Sequence, residues 1–219
     1  MITLIAGKQG AGKSLHSVRL SDNHLKKVNK FVYSNVYIED CYMLPLNWYD
    51  FKYEDDSLLI LDEAQLEYNC RDYSSKDKHE INKKILSYLT MCRHYNIEIV
   101  FITQSISRLD SQIRELATDI YRFSKTYKIL YFSIKEIRFK KLPIFQKGWY
   151  FDDIAMLDRF LNCTTSNYED FGRKFFKFVN PKILKKYDTH IKDDKYLNKE
   201  LASKIKWTKE KIEGGFSVA

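Results

Sequence analysis

Short apolar runs alternate along the first 140 residues with segments that have helical periodicity. Six runs are apolar or rich in β-branched and aromatic residues and predict strands, at 1–6, 30–36, 57–61, 97–103, 119–125 and 129–139. Three segments predict helices: one from Lys13 toward Lys27, one over 76–95, and one that starts with a capping-box pattern at 107–110. Strands separated by helices are typical of an α/β protein, with a mostly parallel sheet covered by helices on both faces.

The pattern is less regular in two other parts of the chain. Residues 37–56 are rich in Tyr and Asp and predict a long surface loop. Beyond Pro143 the periodicity weakens, and only helices near 154–161 and over about 196–213 are predicted. We therefore expect a core domain over 1–145 and an extension over 146–219.

Composition narrows the class of protein. The chain has 219 residues, of which 44% are apolar and 30% charged, and this suits one sizeable globular core. No apolar run approaches the ~18 residues of a membrane helix, and the apolar start runs directly into Gly7 and Lys8 without a signal-peptide pattern. The four cysteines are scattered and form no CxxC pair, which indicates a reducing compartment: Cys41, Cys70, Cys92 and Cys163.

Charge is concentrated near the end of the sequence. Residues 172–219 carry 13 Lys or Arg against 6 Asp or Glu, a surplus of +7 within a total of +8. Such a segment is typical of contact with a polyanion, although a solvated lysine-rich surface gives the same count.

The octapeptide GKQGAGKS at residues 7–14 matches the phosphate-loop pattern G-x-x-x-x-G-K-[ST]. Glycines let successive backbone N–H groups turn toward phosphate oxygens, and the following helix adds its positive N-terminal end. Lys13 is expected to reach the β- and γ-phosphates of ATP, and Ser14 to bind Mg²⁺. The predicted nucleotide-binding residues are Gly7, Lys8, Gln9, Gly10, Ala11, Gly12, Lys13, Ser14 and Leu15.

Two carboxylates follow the predicted strand 57–61. In a parallel sheet this strand would end beside the phosphate loop, so that Asp62 holds Mg²⁺ and Glu63 orients and deprotonates an attacking water. Gln104 ends the next strand of the pattern and would face the same γ-phosphate, where an amide can position water or sense the phosphate. Together these residues predict an ATP hydrolase.

These motifs together resemble the Zot domain, the ATPase domain of filamentous-phage assembly proteins and zonula-occludens-toxin homologues. The resemblance rests on MITLIAGKQGAGKS, on KFVYSNV with Asn35, on LLILDEAQLEYNCR and on CRHYNIEIVFITQSISRLDSQIREL, and covers about residues 1–128. By this resemblance we expect the chain to belong to the HerA/FtsK superfamily of DNA-translocating motors, which includes viral genome-packaging ATPases.

The resemblance implies a RecA-like sheet, ATP hydrolysis at a subunit interface of a pentameric or hexameric ring, and DNA as the substrate that is moved. Lys13, Ser14, Asp62, Glu63 and Gln104 then occupy the Walker A, Walker B and sensor positions. The family completes its site with an arginine from a neighbouring subunit. Arg114 and Arg122 are the candidates, with Arg122 preferred.

Phage assembly ATPases of this kind usually carry a membrane helix after the domain, and this sequence shows none. Three explanations stay open: the membrane part lies outside this sequence, another protein supplies it, or the chain is a packaging motor without one. Basic residues interleaved with aromatic ones offer a further, weaker nucleic-acid candidate: Lys147, Arg173, Lys174 and Lys177. The alternative is that these aromatic residues pack onto the core.

The sequence thus predicts a viral ATPase that moves DNA during virion assembly, with ATP and Mg²⁺ as cofactors. Its expected partners are the viral genome, copies of itself, and a capsid or membrane assembly protein. Its expected location is the host cytoplasm or the virion, with peripheral membrane contact as a further option. Two rivals stay open: a nucleotide-dependent scaffold at a membrane, and a nucleoside or nucleotide kinase, which should have an arginine-rich lid and lack the Glu63–Gln104 pair.

Overall fold

The computed structural model describes residues 1–27, 31–45, 47–66, 76–131, 140–162 and 172–179. They contain one sheet of eight strands. The strands are β1 Ile2–Gly7, β2 Val32–Ser34, β3 Tyr42–Met43, β4 Leu58–Leu61, β5 Glu98–Thr103, β6 Asp119–Tyr131, β7 Lys140–Phe151 and β8 Arg173–Val179.

The strand order across the sheet is β3-β2-β4-β5-β1-β6-β7-β8. All pairs from β3 to β6 are parallel, and only the β6–β7 and β7–β8 pairs are antiparallel. The first four residues of β1 are apolar except for Thr3, and all four residues of β4 are apolar. All of these residues are buried, as expected for strands covered on both faces. The predicted mostly parallel α/β sheet is therefore confirmed.

Helices cover both faces of the sheet. They are α1 Lys13–Lys26, α2 Lys76–Met91, α3 Ser111–Glu115 and α4 Ile154–Asn162. Helix α1 packs on one face, in a core that includes Ile5, Val18, Val32, Ile60 and Ile102. Helices α2, α3 and α4 pack on the other, in a core that includes Leu4, Ile85, Phe101, Ile113 and Leu157.

The prediction of a surface loop over 37–56 is wrong. This stretch contains β3 and a 3₁₀ turn at Trp48–Asp50, and Ile38, Cys41, Trp48 and Tyr53 are buried. Aromatic contacts explain the burial: the Trp48 ring meets Phe101 of the central sheet, with ring centroids 6.4 Å apart. The high Tyr and Asp content of this stretch suggested a polar loop, and its buried residues have no regular spacing that would indicate a strand or a helix.

Several element boundaries differ from the prediction. The capping residue of α3 is Asp110, whose side chain accepts a hydrogen bond from the N–H of Gln112, so the N-cap lies three residues later than the pattern at 107–110 indicates. Residues 106–108 form a separate 3₁₀ turn. The predicted α4 is confirmed, whereas the helix over 196–213 and most of the strand over 129–139 lie outside the described residues.

Strands β7 and β8 extend the sheet beyond the part that the sequence pattern predicts. The expected boundary between residues 145 and 146 falls inside β7, whose ladder with β6 runs from Phe151 to Lys140. Within the described residues, no helix combines the length and the apolar character needed to cross a lipid bilayer.

Candidate nucleotide site

The candidate site lies at the edge of the sheet where the parallel strands end. The phosphate loop follows β1, Asn35 follows β2, Asp62 and Glu63 follow β4, and Gln104 follows β5. Strand β5 lies between β4 and β1, so Gln104 emerges between the acidic pair and the loop. Residues far apart in the chain thus meet at one crevice.

Two glycines shape the phosphate loop. Gly10 has φ 75° and Gly12 has φ 91°, values in the left-handed region that side chains rarely adopt. Gly7 is required for a different reason, because a Cβ there would lie 2.7 Å from the backbone carbonyl oxygen of Phe123 on β6. The loop backbone can therefore curl as phosphate binding needs.

Helix α1 begins directly after the loop, with Gly12 at its N-cap. No side chain of the described residues caps this end, and the first turn contains no acidic residue, so the positive end of the helix faces the crevice. The side chain of Lys13 is mostly buried, and its Nζ donates to the backbone carbonyl of Lys8 at 3.3 Å. Lys8, Gln9 and Gly10 are exposed, whereas the Leu15 side chain is buried in the core.

The Ser14 hydroxyl and the Asp62 carboxylate are in direct contact. Ser14 Oγ donates to Asp62 Oδ2 at 3.0 Å, and the backbone N–H of Glu63 donates to Asp62 Oδ1 at 2.8 Å. Burial raises the pKa of the Asp62 carboxyl, although both hydrogen bonds and the Lys13 charge oppose this rise. Among the described residues this carboxylate accepts from two neutral donors, and a desolvated carboxylate in such a setting suits the binding of a cation.

Asn35 fixes the backbone of Asp62. Its Nδ2 donates to the Asp62 carbonyl at 2.9 Å, and its Oδ1 accepts from the Asp62 N–H at 2.7 Å. One side-chain amide therefore satisfies both backbone groups at the point where β4 stops. The sequence pattern includes Asn35 but gives no sign of this role.

The Glu63 carboxylate lies between two amides. Glu63 has φ 53°, a left-handed backbone that turns the chain sharply after β4. Its Oε2 accepts from Nε2 of Gln65 and, at 3.5 Å, from Nε2 of Gln104. The predicted meeting of Glu63 and Gln104 is thus present in the structure, and the buried Gln65 is an additional neighbour that the sequence analysis did not identify.

The residues present fit a magnesium–nucleotide complex. Mg²⁺ prefers hard oxygen ligands and is usually bound by one or two protein groups together with phosphates and water. Ser14 and Asp62 provide such oxygens beside the phosphate loop. In the described part of the chain, no cluster of three or more His, Cys, Asp or Glu side chains could hold a metal by itself.

The two candidate arginines lie in different surroundings. Arg122 on β6 lines a cleft of about 520 Å³ that also includes Gly7, Lys8 and Gln104. Its guanidinium carbon lies 5.6 Å from the centre of the Phe160 ring. Arg114 lies on α3, where its Nε is buried without a hydrogen-bond partner among the described residues. Only Arg122 approaches the nucleotide crevice of its own chain.

The basic candidates of β7 and β8 separate onto two faces. Lys147 pairs with Phe176 and Trp149 with Lys174 across the ladder, which puts Lys147 and Lys174 on one face. Arg173 points to the other face, where it binds Asp152 with N–O distances of 2.9 and 2.7 Å. The side chain of Lys177 lies outside the described residues.

Gln146 of β7 also reaches the phosphate loop. Its Nε2 donates to the backbone carbonyl of Gly12 at 2.7 Å, across 134 positions of sequence. No local sequence pattern predicts this contact, because it joins an antiparallel strand to a distant loop.

Fold and site together define a P-loop NTPase fold: a phosphate loop between β1 and α1, and an acidic pair after a neighbouring strand of a mostly parallel sheet. The family model of the zonular occludens toxin (Zot) matches residues 37–140. The predicted resemblance to Zot is therefore confirmed.

Two related viral sequences are similar over most of the chain. The ORF2 protein of Spiroplasma virus SpV1-R8A2 B is 24% identical over 238 aligned residues, which cover 91% of this chain and 66% of that protein. The ORF2 protein of Spiroplasma virus SpV1-C74 is 22% identical with the same coverage. The chain thus spans about two thirds of the length of these relatives.

A solved structure of a similar domain shows the same fold. The N-terminal domain of zonular occludens toxin from Neisseria meningitidis superposes with a TM-score of 0.57 at 18% identity, covering 85% of this chain and 98% of that domain. The genome packaging NTPase B204 from Sulfolobus turreted icosahedral virus 2, in complex with ATP-gammaS, gives a TM-score of 0.43 at 14% identity, covering 82% and 97%.

Proposed function

We propose that this chain is a viral ATP hydrolase that uses hydrolysis to move DNA during virion assembly. The observation that carries the hydrolase part is the contact of Ser14 Oγ with Asp62 Oδ2 at 3.0 Å beside the phosphate loop. Glu63 directly follows Asp62 in the chain. Serine and aspartate oxygens in this position suit a magnesium–triphosphate complex.

Each residue has a distinct role in this proposal. Lys13 and the N-terminal end of α1 neutralise phosphate charge, while Ser14 and Asp62 hold Mg²⁺. When bound, Mg²⁺ supplies further charge neutralisation on the phosphates. Glu63 accepts the proton of the attacking water, and Gln104, whose Nε2 lies 3.5 Å from the Glu63 carboxylate, orients that water.

The hydrogen bonds at Glu63 favour hydrolysis over transfer to another acceptor. A kinase needs no water-activating base at this position, whereas here a carboxylate and an amide both lie at the crevice. This arrangement supports water as the acceptor of the γ-phosphate.

The proposal that the chain moves DNA rests on separate observations. It is supported by the similarity to Zot and to proteins of Spiroplasma viruses, and by the +7 surplus over residues 172–219. We place the chain in a homo-oligomeric ring, with Arg122 or Arg114 completing the site of the neighbouring subunit. It would act in the host cytoplasm or on the virion, together with a capsid or membrane assembly protein.

A translocation assay tests this proposal. The purified full chain, with ATP and Mg²⁺, should hydrolyse ATP faster when DNA is added and should displace a streptavidin block from biotinylated DNA. Lys13→Ala should lower hydrolysis by at least roughly 100-fold, because the loop loses its phosphate-binding charge. Hydrolysis that DNA does not change, together with binding to a coat or membrane protein, would favour an assembly scaffold. Transfer of labelled γ-phosphate to an acceptor other than water would instead identify a kinase.

A further inference from the structure

One face of the antiparallel end of the sheet combines cations with aromatic rings. It consists of five residues that we call the aromatic–basic strip: Arg122, Lys147, Trp149, Lys174 and Phe176. Their places follow from the ladders, in which Arg122 pairs with Trp149, Trp149 with Lys174 and Lys147 with Phe176. Directly paired residues of an antiparallel ladder share a face.

The rings of this strip are accessible. Phe176 is 59% exposed, an unusual value for a large apolar side chain on a strand. Trp149 is half-buried, and Lys174 Nζ lies 5.2 Å from the centre of its ring. Aromatic faces next to ammonium groups offer stacking and phosphate contacts at the same place.

The strip leads toward the nucleotide crevice. Arg122 and Trp149 line the same cleft as Lys8 of the phosphate loop and Gln104. The opposite face of β8 is different in character, because Arg173 there is paired with Asp152 and Phe175 packs against Phe123, with ring centroids 5.0 Å apart. Strand β8 thus has one accessible, basic face. On its opposite face the arginine is paired with a carboxylate and the phenylalanine ring is packed.

We propose that the aromatic–basic strip binds single-stranded DNA. Its three cations and lack of any acidic member match a polyanion, and its exposed rings match unpaired bases, which a duplex keeps stacked inside. The proposal deepens the proposed function, on which its biological meaning rests. It also connects that function to a surface that extends from the nucleotide loop.

Equilibrium binding of fluorescent oligodeoxythymidylate to the full chain, without ATP, tests this surface. Phe176→Ala should weaken binding roughly tenfold through the loss of one stacked base. Lys174→Ala should weaken binding and reduce the slope of log K against log salt by about 0.7. Arg173→Ala is the matched control, since it removes a cation from the neighbouring position on the opposite face, and it should leave binding unchanged.

Wild-type affinity in both Phe176→Ala and Lys174→Ala would overturn the proposal, as would an equal loss in Arg173→Ala, which would indicate unspecific charge attraction. Tighter binding of duplex DNA than of single strands would overturn it as well. ATP hydrolysis without DNA is measured on the same variants. If one of these contrary results appears while the wild type hydrolyses ATP, only the surface assignment has failed. If the wild type does not hydrolyse ATP, the proposed function has failed.

A separate observation concerns Gln146, which is fully buried beside the phosphate loop. Its Nε2 donates to the Gly12 carbonyl at 2.7 Å, and this carbonyl also accepts the N–H of His16 at 3.1 Å. Its Oε1 is buried without a hydrogen-bond partner among the described residues. Keeping a partly satisfied amide in a core costs stability, and an apolar side chain of similar size would avoid that cost.

We infer that Gln146 is a positioning residue that holds Gly12, and with it Lys13, in the conformation that binds phosphate. Gln146→Leu should raise the Kd for ATP-gammaS about tenfold, because the phosphate loop loses one hydrogen bond between neutral groups that fixes its backbone. The melting temperature of the nucleotide-free protein should not fall, because the buried unpaired Oε1 is removed too. An unchanged Kd for ATP-gammaS would overturn the inference, whether or not the melting temperature falls. If the wild type binds no ATP-gammaS, the proposed function itself has failed.

Discussion

The side chain of Asn35 binds the backbone of Asp62 through two hydrogen bonds, of 2.9 and 2.7 Å. The amide thereby fixes the residue that contacts Ser14 and precedes Glu63. Two strands, β2 and β4, are joined at the position where the chemistry is proposed to take place. The backbone that carries the two carboxylates is thus fixed by a residue that follows β2 as well as by its own strand, β4.

Asn35→Ala should destabilise the fold and slow hydrolysis together. It leaves two buried backbone groups of Asp62 without partners, at a cost of about 2 kcal/mol in the free energy of unfolding. Urea unfolding and ATP hydrolysis rates would measure both effects. Asn47→Ala is the matched control, because Asn47 is exposed and its side chain makes no capping hydrogen bond. Equal behaviour of the two variants would contradict this role of Asn35.

Asp62→Asn should stabilise the nucleotide-free protein at neutral pH while weakening magnesium-dependent nucleotide binding. Burial raises the pKa of Asp62 above 3.8, so the ionised form is less favourable in the folded chain than in the unfolded one. The native state therefore loses stability as pH rises from about 3.8 through the raised pKa. The gain from Asn should be full at neutral pH and shrink as pH falls toward 3.8.

Urea unfolding of both proteins at several pH values measures this gain. An advantage of Asp62→Asn that stays constant down to pH 3.8, or a loss of stability at neutral pH, would show that burial does not penalise this carboxylate.

Arg122→Ala should abolish hydrolysis in a pure preparation but regain part of it when mixed with Lys13→Ala protein. In such a mixture some interfaces combine an intact phosphate loop with an intact arginine from the adjoining subunit. Steady-state ATP hydrolysis across mixing ratios gives the measurement. Arg114→Ala provides the comparison, because Arg114 is the other candidate. Full activity of the Arg122→Ala protein by itself would exclude Arg122.

The nucleotide site could be predicted because its signals are local. A phosphate loop, an apolar strand followed by two acids, and a strand followed by Gln104 each lie within a few residues, and parallel strands necessarily end at one edge. The structure brings Ser14 to Asp62 and Gln104 to Glu63 as this reasoning requires. Five strands of the parallel part were predictable for the same reason.

The contacts that escaped prediction are long-range or irregular. Gln146 reaches Gly12 only because β7 folds back on β6, and Trp48 is buried by aromatic packing without periodicity. Arg173 and Lys174 point to opposite faces because consecutive residues of a strand alternate, and the β7–β8 register places Lys174 opposite Trp149, which the charge count of a segment cannot show. Strand pairing therefore determines which residues of the basic segment act together.

The measurement that tests the central claim most directly compares binding and hydrolysis of ATP by Glu63→Gln. Glutamine keeps the shape of the side chain but cannot accept the proton of water, so hydrolysis should fall by at least roughly 100-fold while magnesium-dependent ATP binding stays near the wild-type level. Hydrolysis at the wild-type rate in this variant would contradict the account, because the carboxylate beside Gln104 would then not be the base.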